Sequence, residues 1–206
     1  NDNGEVVVEI NDKRLEIRDE SDNFIQQSLP VDGDYSNVSI DNQTNHQVWG
    51  GMFRQYFVPI DKVQKSNEDM KVIREFFVER IEGDKTSYVP VSEGDIKVGD
   101  KVKIVLYIEN QQDMEFVYLK DLRGACFEPT EQISRYHHGD GLWYYQSTSD
   151  VAMEFFFDNM PKGKHELSHT VYVTKEGSFS AGYAVLQCQY APEFGAYSEG
   201  GRIVIK

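Results

Sequence analysis

The sequence predicts an all-β protein: an antiparallel immunoglobulin-like β-sandwich preceded by a smaller β-sheet segment. Three observations carry that expectation. Apolar and polar residues alternate with period two in stretch after stretch, as half-buried strands require. Aromatic residues make up 13% of the 206 residues, with 12 Tyr and 12 Phe, and such side chains suit pleated surfaces. Turn signals, many built on the 16 glycines, punctuate the alternation, and no convincing amphipathic helix interrupts it.

Taken in order, VVVEINDKRLEI (6–17) reads as a hairpin turning at Asn11 and Asp12. SNVSIDN and HQVWGGMFRQYFV follow as strands. KVQKSNEDMK (62–71) is polar and unpatterned, so it marks a boundary, with residues 1–64 as a first domain and 65–206 as a second. The best helical candidate starts with Ser66 as a cap and reaches Phe77, but it runs into β-rich residues 73–78. KVIREFFVERI is therefore read as a strand. KVKIVLYIEN, MEFVYLKDL, LWYYQST, VAMEFFFDN, LSHTVYVT, GSFSAGYAVLQCQY and RIVIK continue the series, with room for one helical turn at 120–124. Turns are expected at 93–95, 98–100, 139–141 and 161–164. From residue 96 onward, strands recur every 8–12 residues, the spacing of a sandwich. The first part holds too few strands to be self-sufficient, so the rest of that domain is expected upstream.

The net charge of -14 argues against a nucleic-acid surface, which needs clustered Lys and Arg. No stretch approaches eighteen apolar residues, so no membrane span is expected in this chain. The chain opens Asn-Asp-Asn-Gly without an initiator Met, as expected of a processed product or a piece of something longer. Cys126 and Cys188 are far apart; their separation permits one disulfide, while two buried thiols is the plainer reading, and no zinc pattern fits.

The densest cluster of chemistry-bearing residues is YHHGDGLWYYQSTSD (136–150). His137 and His138 would point to opposite faces of a strand, so with Asp140 they make a poor metal site. His165 and His169 are the other histidines of this half and would sit on another hairpin. No metal or cofactor is expected. A G-x-S-x-G elbow is absent, and Gly50-Gly51 and Gly200-Gly201 lie in β context rather than before a helix, so no catalytic residue is assigned. In Cys126-Phe127-Glu128-Pro129, proline stands where an internal thioester would need glutamine, and it has no carboxamide to acylate the thiol.

DMEFVYLKDLRGACFEP (113–129), DGLWYYQSTSD (140–150) and the run from FFFDNMPKGKHELSHTVYVT to YAPEFGAYSEG (155–200) occur in an order that resembles the C-terminal domain of bacterial alpha-2-macroglobulin family proteins, in the version found in large Bacteroidetes members. VSIDNQTNHQVWGGMFRQYFVPIDKV (38–63) is similar, more loosely, to the segment preceding that domain, the end of a CUB-like β domain. The resemblance implies a macroglobulin-like sandwich over 65–206 and the returning strands of a CUB-like domain over 1–64. It further implies a noncatalytic fragment of a periplasmic, cell-envelope or extracellular protease trap. Its partners would be the thioester-type domain of the same polypeptide and, through the parent, target proteases.

In some relatives an aromatic residue of this last domain shields the thioester from water. Trp143, Tyr144 and Tyr145 are the candidates here, with Pro192, Phe194 and Tyr197 as a second apolar contact. Two plainer readings stand beside these. Trp143 and Tyr145 would pack in the core while Tyr144 faces out, and the 190–200 loop would only close the final strand pair. A carbohydrate-binding or adhesion module is the alternative function, which an exposed platform of Trp49, Trp143 and Tyr144 would favour.

Overall fold

A computed structural model describes residues 5–15, 28, 37–51, 57–65, 70–92, 95–192 and 194–206. Internal contacts divide the chain into Asn1–Gln55 and Tyr56–Lys206.

In the first unit, β1 (Val6–Ile10), β2 (Lys13–Arg14) and β3 (Val38–Asn42) form an antiparallel sheet in the order β2-β1-β3. Asn11 and Asp12 make the expected two-residue turn. Their φ values of 51° and 61° match a turn whose twist follows that of the strands it joins. The Asn11 side-chain oxygen accepts the Asn37 N–H at 2.9 Å, tying the turn to β3. The strand expected over HQVWGGMFRQYFV is not seen at 46–51, where two successive glycines offer no side chain to pack; residues 52–56 lie outside those described.

The second unit begins with a 3-10 turn, Ile60–Lys62. Thirteen strands follow: β4 (Met70–Glu82), β5 (Lys85–Pro90), β6 (Lys101–Asn110), β7 (Met114–Leu122), β8 (Phe127–Pro129), β9 (Arg135–Gly139), β10 (Leu142–Thr148), β11 (Ala152–Met160), β12 (Gly163–Val173), β13 (Gly177–Ser180), β14 (Ala184–Cys188), β15 (Gly195–Tyr197) and β16 (Arg202–Ile205). A six-stranded sheet, β15-β14-β7-β11-β10-β9, packs on a five-stranded sheet, β5-β4-β6-β12-β8, and every pairing is antiparallel. β13 and β16 pair separately. The all-β sandwich is therefore the observed architecture.

Alternation sets which side chains fill the sandwich. Val117, Leu119, Leu142, Tyr144, Phe155, Phe157 and Leu186 from the six-stranded sheet meet Met70, Val72, Leu106, Ile108 and Leu167 from the other. A second cluster at the far end gathers Val78, Val102, Ile104, Val171 and Val173 with Phe127, Ile203 and Ile205. Each fully buried side chain of this kind contributes roughly 1.5–3 kcal/mol. Cys126 and Cys188 sit in different clusters and no disulfide joins them; burial pushes the Cys126 thiol up from its ordinary pKa.

Several local expectations are corrected. The helical turn allowed at 120–124 does not form: β7 runs to Leu122, residues 123–124 belong to no element, and the turn falls at 125–126. GSFSAGYAVLQCQY is two strands rather than one, because the chain breaks at Gly182. Its φ is +79°, and a Cβ there would lie 1.9 Å from the Leu122 carbonyl oxygen. Of the turns, 98–100 and 139–141 form as expected, while residues 93–94 lie outside those described.

Candidate interdomain face

β9 and β10 form a hairpin closed by Asp140 and Gly141, whose φ values are 51° and 73°. The Asp140 carboxylate accepts the Glu166 N–H of β12 at 2.8 Å, anchoring the hairpin tip to the opposite sheet. This fixes the parity of β10, and the parity is the reverse of the core packing considered from sequence. Leu142, Tyr144 and Gln146 point inward. Tyr144 is only 9% exposed, with its ring 5.8 Å from Phe155 and 5.5 Å from Phe157, and His137 is stacked on it at 5.4 Å. Burial raises the pKa of its hydroxyl, with a smaller push from Glu131. Trp143 points outward, 67% exposed and 4.7 Å from His138, and Tyr145 is half-buried on the same outer face.

Register then assembles something the motif reading did not foresee. Tyr136 of β9, Tyr145 of β10, Phe156 of β11 and Tyr118 of β7 are direct cross-strand neighbours. Their rings follow one another at 5.1, 6.5 and 5.0 Å, an aromatic row across four strands of the outer face. The Tyr118 hydroxyl donates to Glu154 at 2.9 Å. Burial, with Glu154 adding to it, pushes that hydroxyl's pKa well up.

Of the second group, Pro192 is exposed and Phe194 tucks against the main core. Tyr197 is exposed on β15, with its ring 6.3 Å from Tyr183. The Cys188 N–H bonds to the Phe194 carbonyl at 3.0 Å, so this loop does close a strand pair. β15 and β10 are four strand positions apart in the sheet, about 19 Å at the usual spacing, so Tyr197 and Trp143 do not share one patch. Phe156 and Tyr118 of the aromatic row lie on strands between them. Phe116, with a φ of +52°, and the exposed Tyr190 pack edge to face at 5.2 Å beside it; neither was singled out from sequence.

Trp143 and Tyr144 lie on opposite faces of one strand, so they form no coplanar platform for a sugar. Among the described residues no group of three or more His, Cys, Asp or Glu side chains is placed to hold a metal ion. His165 bonds to the Pro161 carbonyl oxygen at 2.8 Å.

His169 belongs to a buried charge cluster that sequence reasoning missed. The Asp121 carboxylate of β7 meets His169 Nε2 at 2.6 Å and Arg74 Nε of β4 at 2.6 Å, with all three side chains at most 4% exposed. Arg74 also donates to the carbonyls of Ala181 (2.6 Å) and Leu122 (2.9 Å) and lies over the Phe76 ring. Burial lowers the Arg74 pKa, opposed by Asp121. The signal was present: each residue falls on the inward parity of its strand, Arg74 between Val72 and Phe76, His169 between Leu167 and Val171. Three polar residues at inward positions on three strands each need a partner away from water, and here they supply one another.

Residues 70–193 match the family model of the bacterial alpha-2-macroglobulin MG10 domain. No curated protein matches the chain. Among solved structures, native Escherichia coli alpha-2-macroglobulin, from domain MG7 to its C-terminus, is similar with a TM-score of 0.55 and 12% identity, over 72% of this chain and 25% of that one. Salmonella alpha-2-macroglobulin reacted with methylamine is similar over all of this chain and 13% of that one, with a TM-score of 0.56 and 10% identity. This chain thus spans a quarter or less of the length of either relative.

Proposed function

This chain belongs to the bacterial alpha-2-macroglobulin family, and on that premise we propose that it is the noncatalytic C-terminal part of a protease trap, working through contact with another domain of its parent. The observation that carries the proposal is the outward aromatic row Tyr136–Tyr145–Phe156–Tyr118, flanked by Trp143. A sheet face turned to water has little use for contiguous rings, whereas a docked domain removes them from water at a gain of about 25 cal/mol for each Å². The partner in this reading is the thioester-type domain, with Trp143 and Tyr145 as the shielding candidates. Tyr144 supports them from the core rather than covering anything itself. Pro192 and Tyr197 form the far margin of the contact, and Phe194 holds their loop.

The same reading assigns residues 65–206 to the last macroglobulin-like domain and 1–64 to the returning strands of a CUB-like domain. It places the parent in the periplasm, cell envelope or extracellular space, where it meets target proteases. No helix among the described residues is long and apolar enough to cross a membrane.

Hydrogen exchange on the uncleaved parent tests the proposal. Amides of β10, β11 and β7 should exchange more slowly than in the 206-residue chain, and Trp143→Ala with Tyr145→Ala should remove the difference. Equal exchange in the parent and in this chain would reject the docking. If the parent carries a thioester, the same double variant should lose methylamine reactivity faster.

A further inference from the structure

β9 ends the six-stranded sheet, and among the described residues nothing pairs with its outer edge. Gly139 and Leu142 flank a two-residue turn and exchange the first hydrogen bonds of the hairpin, so 137 and 135 bond to β10 in their turn. The backbone N–H and C=O groups of Tyr136 and His138 therefore point away from the sheet. The edge is short and carries one charged residue, Arg135, but residues 135–139 contain no proline, no lysine and no bulge. Tyr136, 71% exposed, stands at this edge as the last ring of the aromatic row, with Trp143 and His138 one step along.

We infer that this edge is a strand-addition site for an extended, arginine- or lysine-bearing segment. Charge selects that occupant. The one side chain of β9 with a fixed positive charge, Arg135, is already paired with Glu131, beside the imidazoles of His137 and His138. Asp140 and Glu166 beside the hairpin tip meet no cation among the described residues. Residues 56–206, the unit that holds this edge, carry 17 Lys and Arg against 24 Asp and Glu, a net -7 that draws cationic segments and repels a second copy. An added strand would exchange backbone bonds with Tyr136 and His138 and place alternate side chains on the outer face. There the rings of Tyr136 and Trp143 attract guanidinium and ammonium groups. The inference goes beyond the docking proposed above: it shares the rings of Tyr136 and Trp143 with that contact but rests on the outward backbone groups of Tyr136 and His138, which the N-methylated peptide tests alone, so either can fail without the other.

The test titrates the 206-residue chain with an acetylated, amidated nonapeptide alternating arginine and valine, followed by calorimetry and by amide shifts of residues 135–139. Replacing its arginines with glutamate should weaken binding at least about tenfold at low salt. N-methylating the peptide nitrogens that would face β9 should also cost about tenfold, the equivalent of one or two backbone hydrogen bonds. His138→Pro removes an outward N–H without touching the hairpin ladder and should weaken binding by about tenfold or more; the N-methylated peptide makes the same test on the unaltered chain. Equal binding of the N-methylated peptide, or preference for glutamate, overturns the inference. Sedimentation of the chain alone as a dimer that His138→Pro dissociates would overturn it too, assigning the edge to a second copy.

Discussion

At the scale of single residues, Asp121 carries the largest individual consequence. Its carboxylate joins Arg74 and His169 across the two sheets in a place where water does not reach. Such a cluster adds little net stability when complete, because desolvating the ions offsets their attraction. Breaking it is different, since the remaining charge stays buried and alone. Asp121→Ala should therefore lower the free energy of unfolding by about 3–5 kcal/mol in urea titrations. Removing Arg74 and Asp121 together, as Arg74→Met with Asp121→Leu, should cost much less than the two single changes added, the mark of direct coupling. Additive losses would mean the two side chains stabilise the fold independently.

At the scale of the element, β10 shows what the sequence makes legible and what it hides. The bounds 142–148 are readable from LWYYQST alone, because alternation and the Gly139-Asp140-Gly141 turn define both ends. The parity is not, since Leu-Trp-Tyr-Tyr is apolar on both faces and a one-residue slip turns every side chain over. What decides it lies outside the strand: the Asp140 bond to Glu166 and the space beside Phe155 and Phe157. β6 and β7 are readable to the residue because long apolar-rich runs bounded by turn residues mark them, although the alternation is broken at Ile104–Leu106 in β6 and at Phe116 in β7. β5, β8, β9 and β15 are not legible because KTSYVP, FEP, RYHHG and GAY lack the alternating aliphatic residues that mark the equally short β3 and β16. The aromatic row is hidden for another reason, as its rings come from four strands and only register aligns them. Parity makes a sharp prediction. Tyr144→Ala should cost about 3–5 kcal/mol, as aromatic truncations in a core do, while Trp143→Ala stays within about 0.5 kcal/mol. Chemical denaturation of the two variants checks it, and the reverse order would put Trp143 inside.

At the scale of the whole molecule, the question is where the second unit begins. The sequence suggests a boundary at 64/65, since residues 62–71 are polar and carry no pattern. Yet residues 60–63 are clasped by the chain's far end. The Gly200 N–H donates to the Val63 carbonyl at 2.9 Å, and a Cβ on Gly200 would lie 2.1 Å from the Ile60 carbonyl oxygen. Arg202 binds Asp61 at 3.0 Å and holds the Asp61 carboxyl below its ordinary pKa. Composition registers the polarity of this segment but not a contact with residues some 140 positions away. Both core clusters lie within 70–205, so fragments beginning at 56 and at 65 should each unfold cooperatively. The shorter one loses at least one backbone hydrogen bond, worth about 1 kcal/mol, and should melt about 2–4 °C lower. Because the Asp61 pKa is depressed, its share is present above the ordinary carboxylate value of about 4 and is lost as pH falls through the folded value. The gap in Tm between the fragments should therefore be widest near neutral pH and narrow in acid; identical melting at neutral pH would show that residues 56–64 lend this domain no stability.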